Sequence, residues 1–259
     1  LKKFLSDKYS DSRQFNPEEI GIFNGADAAI NAIFNAFGDK DEIFLTTNPT
    51  FGYYSPCSDI QGMRKITCSY EGQNFLFPIK RFEENIIQYK PKLIFICNPN
   101  NPTGTVLSAQ EIIKFANLNK KSLIVIDELY EKFNGDSLLT DIDFEKIKNI
   151  IIIQSLSKTA GLAGLRIGFA FGNKSLIQYI NKVTGPYDVN SFAVTAALAA
   201  LEDKSYIDNY VSEVKKAREL IKEKFQSTTL RKHFGGGNYF LIWPNKDPKI
   251  LTKQMREKG

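Results

Sequence analysis

Ile150-Ile-Ile-Ile-Gln-Ser-Leu-Ser-Lys-Thr-Ala-Gly-Leu-Ala-Gly-Leu-Arg166 is the stretch on which the reading of this chain turns. A buried β run ends, hydroxyls follow at Ser155 and Ser157, and Lys158 stands just outside the apolar run. A lysine amine placed there can form a Schiff base with an aldehyde. The hydroxyls and the Arg166 guanidinium suit a phosphate monoester. Two further segments follow apolar runs in the same way. Asn98-Pro-Asn-Asn-Pro-Thr-Gly104 comes after Leu93-Ile-Phe-Ile-Cys97, and Asp127-Glu-Leu-Tyr130 comes after Leu123-Ile-Val-Ile126. Taken singly, each has an ordinary reading: a solvated lysine, a Pro-rich turn, an acid at a strand end, an arginine paired with a surface acid.

The alternation of elements extends outward from these motifs. The sequence pattern predicts strands at 20–23, 42–46, 64–70, 93–97, 123–126, 150–154 and 165–171. It predicts helices at 26–37, 51–60 (interrupted by Pro56), 81–89 and from the capping box Ser108-Ala-Gln-Glu111 to Asn119. This is the pattern of an α/β three-layer sandwich with a mostly parallel sheet and helices on both faces. Ligands bind such folds beyond the carboxyl ends of strands, where Asn98, Asp127 and Ser155 all fall. After Pro186 come an Ala-rich helix at 191–201 and a long helix at 206–225. The long helix carries Glu213 with Lys216 and Glu219 with Lys222 at spacings suited to a wet face. A turn and strand at 230–243, around Gly235-Gly-Gly237, and an amphipathic helix from Ile250 to a Gly259 cap end the chain. The expected division is a large domain, 1–205, and a connecting helix with a smaller, incomplete α+β domain, 206–259.

Composition narrows the function classes. With 259 residues and 42% hydrophobic content, the chain can bury a sizeable core. Net charge is +5, but the lysines are scattered, so no nucleic-acid stripe is expected. The single histidine, His233, excludes a multi-His metal site, and no metal is expected. Cys57, Cys68 and Cys97 lack CxxC spacing, and Cys97 reads as a small core residue. No stretch approaches 18 apolar residues and no signal peptide is visible, so a cytoplasmic protein is expected.

The order of the three motifs resembles the fold-type-I pyridoxal-phosphate enzymes, the aminotransferase superfamily, and within it the histidinol-phosphate aminotransferase group. The resemblance covers nearly the whole chain. It implies pyridoxal 5'-phosphate as cofactor, with Lys158 as the Schiff-base lysine and the base for a proton shift. Asp127 would face the pyridine nitrogen, and Asn101 and Tyr130 would share the ring's phenolic oxygen. The backbone amides of Gly25, Ala26 and Asp27, at a helix N-terminus suited to anions, would bind the phosphate with Ser155, Ser157 and Arg166. Phe51, in Asn48-Pro-Thr-Phe51, would stack on the ring, with Tyr53 and Tyr54 as neighbouring alternatives. The catalytic set is Lys158, Asp127 and Tyr130. Small amine and 2-oxo acid substrates and a homodimer are implied in the same way.

The chain departs from that group in places. Gln154 stands where it often has Arg, Leu129 where it often has Ala, and Ala28 where Glu is usual. Residue 1 is Leu, and the resemblance implies a segment before Leu1 and further strands and a helix after Gly259, including a carboxylate-binding arginine. The chain is therefore expected to be clipped at both ends. Two other activities share the scaffold: decarboxylation of a phosphorylated amino acid, and a non-enzymatic cofactor-binding regulatory domain.

Overall fold

A computed structural model of the chain describes residues 1–8, 15–135 and 137–258. In chain order the elements are α1 (Lys2–Lys8), β1 (Ile20–Phe23), α2 (Ala26–Phe37), β2 (Ile43–Asn48), α3 (Tyr54–Ile60), β3 (Arg64–Ser69), α4 (Ile79–Tyr89) and β4 (Leu93–Cys97). There follow α5 (Ala109–Leu118), β5 (Leu123–Asp127), α6 (Glu131–Asn134), β6 (Ile150–Ser155), β7 (Gly168–Gly172) and α7 (Lys174–Lys182). The last elements are α8 (Ser191–Glu202), α9 (Lys204–Gln226), β8 (Arg231–Phe234), β9 (Phe240–Trp243) and α10 (Pro248–Arg256).

Strands β1 to β7 form one sheet in the order β1-β7-β6-β5-β4-β2-β3, and only β7 runs against its neighbours. The uninterrupted apolar runs of β4, β5 and β6 follow from this position, since both sheet faces are covered. Side chains alternate between faces. Ile94, Ile96, Ile124, Ile126, Ile150 and Ile152 join one core with α4, α5, α6, α8 and α9. Leu93, Phe95, Leu123, Val125, Ile151 and Ile153 join the other with α2, α3 and α7. Each fully buried Ile contributes about 1.5–3 kcal/mol, so the two faces together anchor the three layers. Asp127 shares the parity of Val125 and so stands on the α2 side. Glu128 and Gln154 fall on the opposite parity, and they bond each other at 2.9 Å.

Several boundaries differ from the sequence pattern, each for a local reason. The strand expected at 165–171 starts only at Gly168. Ala163–Leu165 is a 3-10 turn and Arg166 has φ of +57°, which ends any extended run there. The helix expected from Phe51 starts at Tyr54, leaving Pro56 in the first turn, where its missing N–H costs nothing. The segment 230–243 is a hairpin of two antiparallel strands, with Arg231 opposite Trp243 and Phe234 opposite Phe240. The pattern missed α1, α6 and α7; the last is capped by Asn173, whose side chain accepts the Ser175 N–H at 3.1 Å. The last helix starts at Pro248, and its expected Gly259 cap lies outside the described residues. The Ser108–Glu111 capping box forms as expected, and Lys216–Glu213 and Lys222–Glu219 pair at 2.8 and 3.3 Å.

Candidate active site

Register brings the motifs to one edge of the sheet. Cys97 pairs with Asp127, Asp127 with Ile153, and Ser155 with Gly168, which also pairs with Phe23. The carboxyl ends of β1, β4, β5 and β6 therefore lie side by side. A cavity of about 190 Å³ opens there. Ala26, Asp27, Phe51, Asn101, Asp127, Tyr130, Ser157, Lys158 and Arg166 line it. Gly25 and Ser155, expected with them, are not among its lining residues. A larger, more open groove of about 840 Å³ between α6 and α9 carries none of these residues.

Asp127 closes the deep end. It is 2% exposed, and both of its hydrogen-bond donors are neutral. The Tyr54 hydroxyl donates to Oδ2 at 2.6 Å and the Leu129 N–H to Oδ1 at 3.2 Å. Burial pushes the Asp127 carboxyl up to about 6, and these two donors hold it from rising further. Nearby, Asn101 Nδ2 donates to the Tyr130 hydroxyl at 3.1 Å. Burial raises Tyr130 to about 12, so it remains a neutral phenol with a proton to donate.

The opposite end is built differently. Gly25 caps α2 with φ of +84° and ψ of 167°, and no side chain caps the helix. The Arg166 guanidinium lies against Gly25: a Cβ there would meet Nη2 at 2.5 Å. Glycine is thus required by conformation, and any side chain there would push the Arg166 guanidinium aside. A Cβ at Gly168 would in turn meet Gly25 C at 2.5 Å, which lets β7 bring the chain this close. Arg166 Nη2 pairs with Asp27 Oδ2 at 3.0 Å. The Ser155 hydroxyl donates to the Ile167 carbonyl at 2.8 Å and accepts the Ser157 N–H at 3.1 Å. It braces the turn before Lys158, while Ser157 faces the cavity.

This donor set fits pyridoxal phosphate. A helix N-terminus and a guanidinium suit the dianion. A buried carboxylate with only neutral donors suits a cationic ring N–H. An amide–phenol pair suits an anionic ring oxygen, and Phe51 and Leu129 offer apolar surface to a flat ring. Of the three aromatic candidates for stacking, Phe51 lines the cavity, whereas Tyr54 is buried on Asp127 and Tyr53 is part-exposed.

The sequence profile of the family described as aminotransferase class I and II matches residues 1–259. The chain belongs to this family. It is an enzyme, a pyridoxal-phosphate-dependent aminotransferase. The histidinol-phosphate aminotransferase of Caldanaerobacter subterraneus subsp. tengcongensis is 34% identical over 245 residues, 94% of this chain and 68% of that protein. A solved protein of Erwinia carotovora atroseptica, described only provisionally as a histidinol-phosphate aminotransferase, superposes with a TM-score of 0.90 at 23% identity. The match covers 98% of this chain and 75% of that one. The Sinorhizobium meliloti histidinol-phosphate aminotransferase, solved with pyridoxal-5'-phosphate, gives 0.84 at 23% identity over 93% of this chain and 67% of that one. These two likenesses bear on the fold, which is that of the aminotransferases.

Sequence reasoning missed Tyr54 as the partner of Asp127, and it missed Cys97 and Ala163 as wall residues of this aminotransferase. Cys97 is buried, as expected of a core residue, and also faces the cavity. The available signal for Tyr54 was its place three residues after Phe51, at the start of a helix.

Proposed function

We propose that this aminotransferase moves an amino group between a small amine or amino acid and a 2-oxo acid, with histidinol phosphate as the first donor to test. The observation that carries the proposal is the meeting of Lys158, Asp127, the Asn101–Tyr130 pair and Arg166 around one cavity. Pyridoxal phosphate, when bound, supplies an aldehyde that takes up the amine and a ring that withdraws electrons from the carbon being deprotonated. Lys158 Nζ, on the cavity wall, would bind the cofactor's aldehyde group. The same Nζ would take and return the proton of the substrate's α-carbon. The Asp127 carboxylate, oriented by the Tyr54 hydroxyl, would keep the ring nitrogen protonated. Asn101 Nδ2 and the Tyr130 hydroxyl would donate to the ring oxygen. The first amides of α2, the Ser157 hydroxyl and Arg166 would hold the phosphate, and Phe51 and Leu129 would keep water from the ring faces.

The same reading makes the protein a cytoplasmic homodimer. Among the described residues no helix is long and apolar enough to cross a membrane. Tyr187 and Phe192, before and within the first turn of α8, are 94% and 81% exposed, and a second copy would cover them. The division into a cofactor-binding part, 1–205, and a connecting helix with an α+β segment, 206–259, belongs to this reading too.

The test is incubation of the protein with pyridoxal phosphate, histidinol phosphate and 2-oxoglutarate. Glutamate formation is the expected result. Carbon dioxide release from phosphorylated amino acids without glutamate would replace the proposal with a decarboxylase. Cofactor binding with neither product, across a panel of amino acids, would replace it with a regulatory domain. Sedimentation at equilibrium checks the dimer.

A further inference from the structure

The loop from Asn98 to Gly104 carries Asn101 to the cavity, and it is gripped from two sides. On the inner side, Asn98 Nδ2 donates to the Leu107 carbonyl at 3.1 Å and Asn98 Oδ1 accepts the Leu107 N–H at 2.8 Å. Asn100 Nδ2 donates to the Pro49 carbonyl at 3.0 Å and to Thr103 Oγ1 at 2.8 Å. The outer grip comes from the β8–β9 hairpin, more than a hundred residues away. The Tyr239 hydroxyl donates to the Asn100 carbonyl at 2.7 Å, and the Gly236 N–H to the Gly104 carbonyl at 2.7 Å. His233 Nε2 lies 2.7 Å from the Thr103 carbonyl, a donor in the tautomer that bond requires. Carbonyls 100, 103 and 104 are thus all held by one hairpin.

The hairpin turn is itself tied down. Arg218 of α9 donates from Nη1 to the Gly235 and Gly237 carbonyls at 3.2 and 2.7 Å. A Cβ on Gly104 would sit 2.5 Å from the Gly235 Cα, and one on Gly235 equally close to the Gly104 Cα. The two backbones are therefore in direct contact, and side chains at either position would prise them apart. Tyr239 does one thing more. Its ring meets the Tyr130 ring edge-on, with centroids 5.0 Å apart and an interplanar angle of 89°. One side chain thereby touches both the backbone next to Asn101 and the ring of Tyr130. Those are the two partners of the 3.1 Å bond that faces the cavity.

We infer that Tyr239 is a positioning residue that sets the Asn101–Tyr130 pair against the cofactor's ring oxygen, and that the 235–237 turn with Arg218 is the strap holding it there. The inference rests on the proposed roles of Asn101 and Tyr130. It adds a part of the chain that does not line the cavity. The titratable groups acting on Tyr130 are Cys97 and Asp127, with Tyr239 beside it. Burial holds the Tyr239 phenol far above its usual range, so it stays a donor at every working pH.

The experiment compares Tyr239→Phe, which keeps the ring and removes the bond to Asn100, with Arg218→Met, which loosens the strap without touching the loop. Two readouts are taken on the full chain. Without cofactor, amide exchange across 98–105 should quicken about tenfold in Tyr239→Phe. With cofactor, the pH midpoint of the visible absorption should move upward by about half a unit. The direction follows because donors at an anionic oxygen favour its ionised form, and displaced donors favour it less. Arg218→Met should shift the midpoint the same way by a smaller amount. An unmoved midpoint in Tyr239→Phe, with or without faster exchange, overturns the inference by reducing Tyr239 to a structural role. Unchanged exchange in both variants overturns the strap. If the wild-type protein shows no pH-dependent absorption with cofactor, the site reading fails instead, and the exchange arm still decides the strap.

Discussion

Asp127 and Arg166 line one cavity, the one buried and the other half-exposed, and are held in opposite ways. Asp127 ends a strand buried on both faces, and its proton affinity is raised by that burial. Arg166 sits on a left-handed residue between a 3-10 turn and β7. Its side chain is 42% exposed and that of its partner Asp27 is 47% exposed. An ion pair that open is worth about 0–1 kcal/mol. The deep end is thus prebuilt at a cost in desolvation, whereas the outer end is backbone geometry waiting for an anion. Damage at the deep end should appear in turnover, and damage at the outer end in cofactor retention.

The largest effect should come from Asp127→Asn. With no carboxylate to keep the ring nitrogen protonated, turnover should fall roughly a hundredfold or more, with cofactor retention changed far less. Spectroscopic titration with cofactor and steady-state kinetics on one preparation separate the two. Equal losses in both would erase the contrast between the ends. Arg166→Gln should do the reverse. Cofactor affinity should drop about tenfold to a hundredfold, the scale of one charge-assisted fork, while the melting temperature of the cofactor-free chain stays put. Equilibrium dialysis against pyridoxal phosphate measures it.

Tyr54→Phe sharpens the comparison within the deep end. Its hydroxyl now lowers the Asp127 pKa, so its loss should raise that pKa and move the acid limb of the rate profile to higher pH. A turnover loss of about tenfold is expected, as for one hydrogen bond to a charged group. A pH–rate profile of the variant beside the wild type checks it.

The sheet and the strand-end positions of the site were legible because strands covered on both faces must be apolar throughout. The polar residue that ends such a run then marks the ligand edge: Asn98 and Asp127 needed no more than that, whereas in β6 Gln154 comes first and bonds Glu128 on the other face. Long-range pairings were not legible. Tyr54 meets Asp127 across 73 residues and Tyr239 meets Asn100 across 139. Nothing local in either segment encodes its partner. The left-handed Arg166 was hidden by the apolar residues around it, which read as a continuous strand from Leu165. Glu131 was hidden for the opposite reason. It looks like a surface residue in a short polar helix, yet it is buried.

That burial leads to the smallest effect. Burial pushes the Glu131 carboxyl from its ordinary 4.5 up to about 7, with Glu128 adding to it and Lys132 opposing. The folded chain therefore holds this proton more tightly than the unfolded chain. The stability linked to it is full below 4.5 and lost as pH rises to about 7. Glu131→Gln should flatten that part of the profile and stabilise the chain at pH 8 by on the order of 1–2 kcal/mol, without altering cofactor affinity. Urea unfolding at pH 5 and pH 8 reads it, and an unchanged pH dependence would show that the buried acid is not ionising there.

Borohydride reduction of the protein with bound pyridoxal phosphate, followed by peptide mass spectrometry, shows which lysine carries the cofactor. A cofactor adduct is expected on the peptide containing Lys158, lost in Lys158→Ala together with the visible absorption. An adduct on another lysine, or an unchanged spectrum in Lys158→Ala, would contradict it.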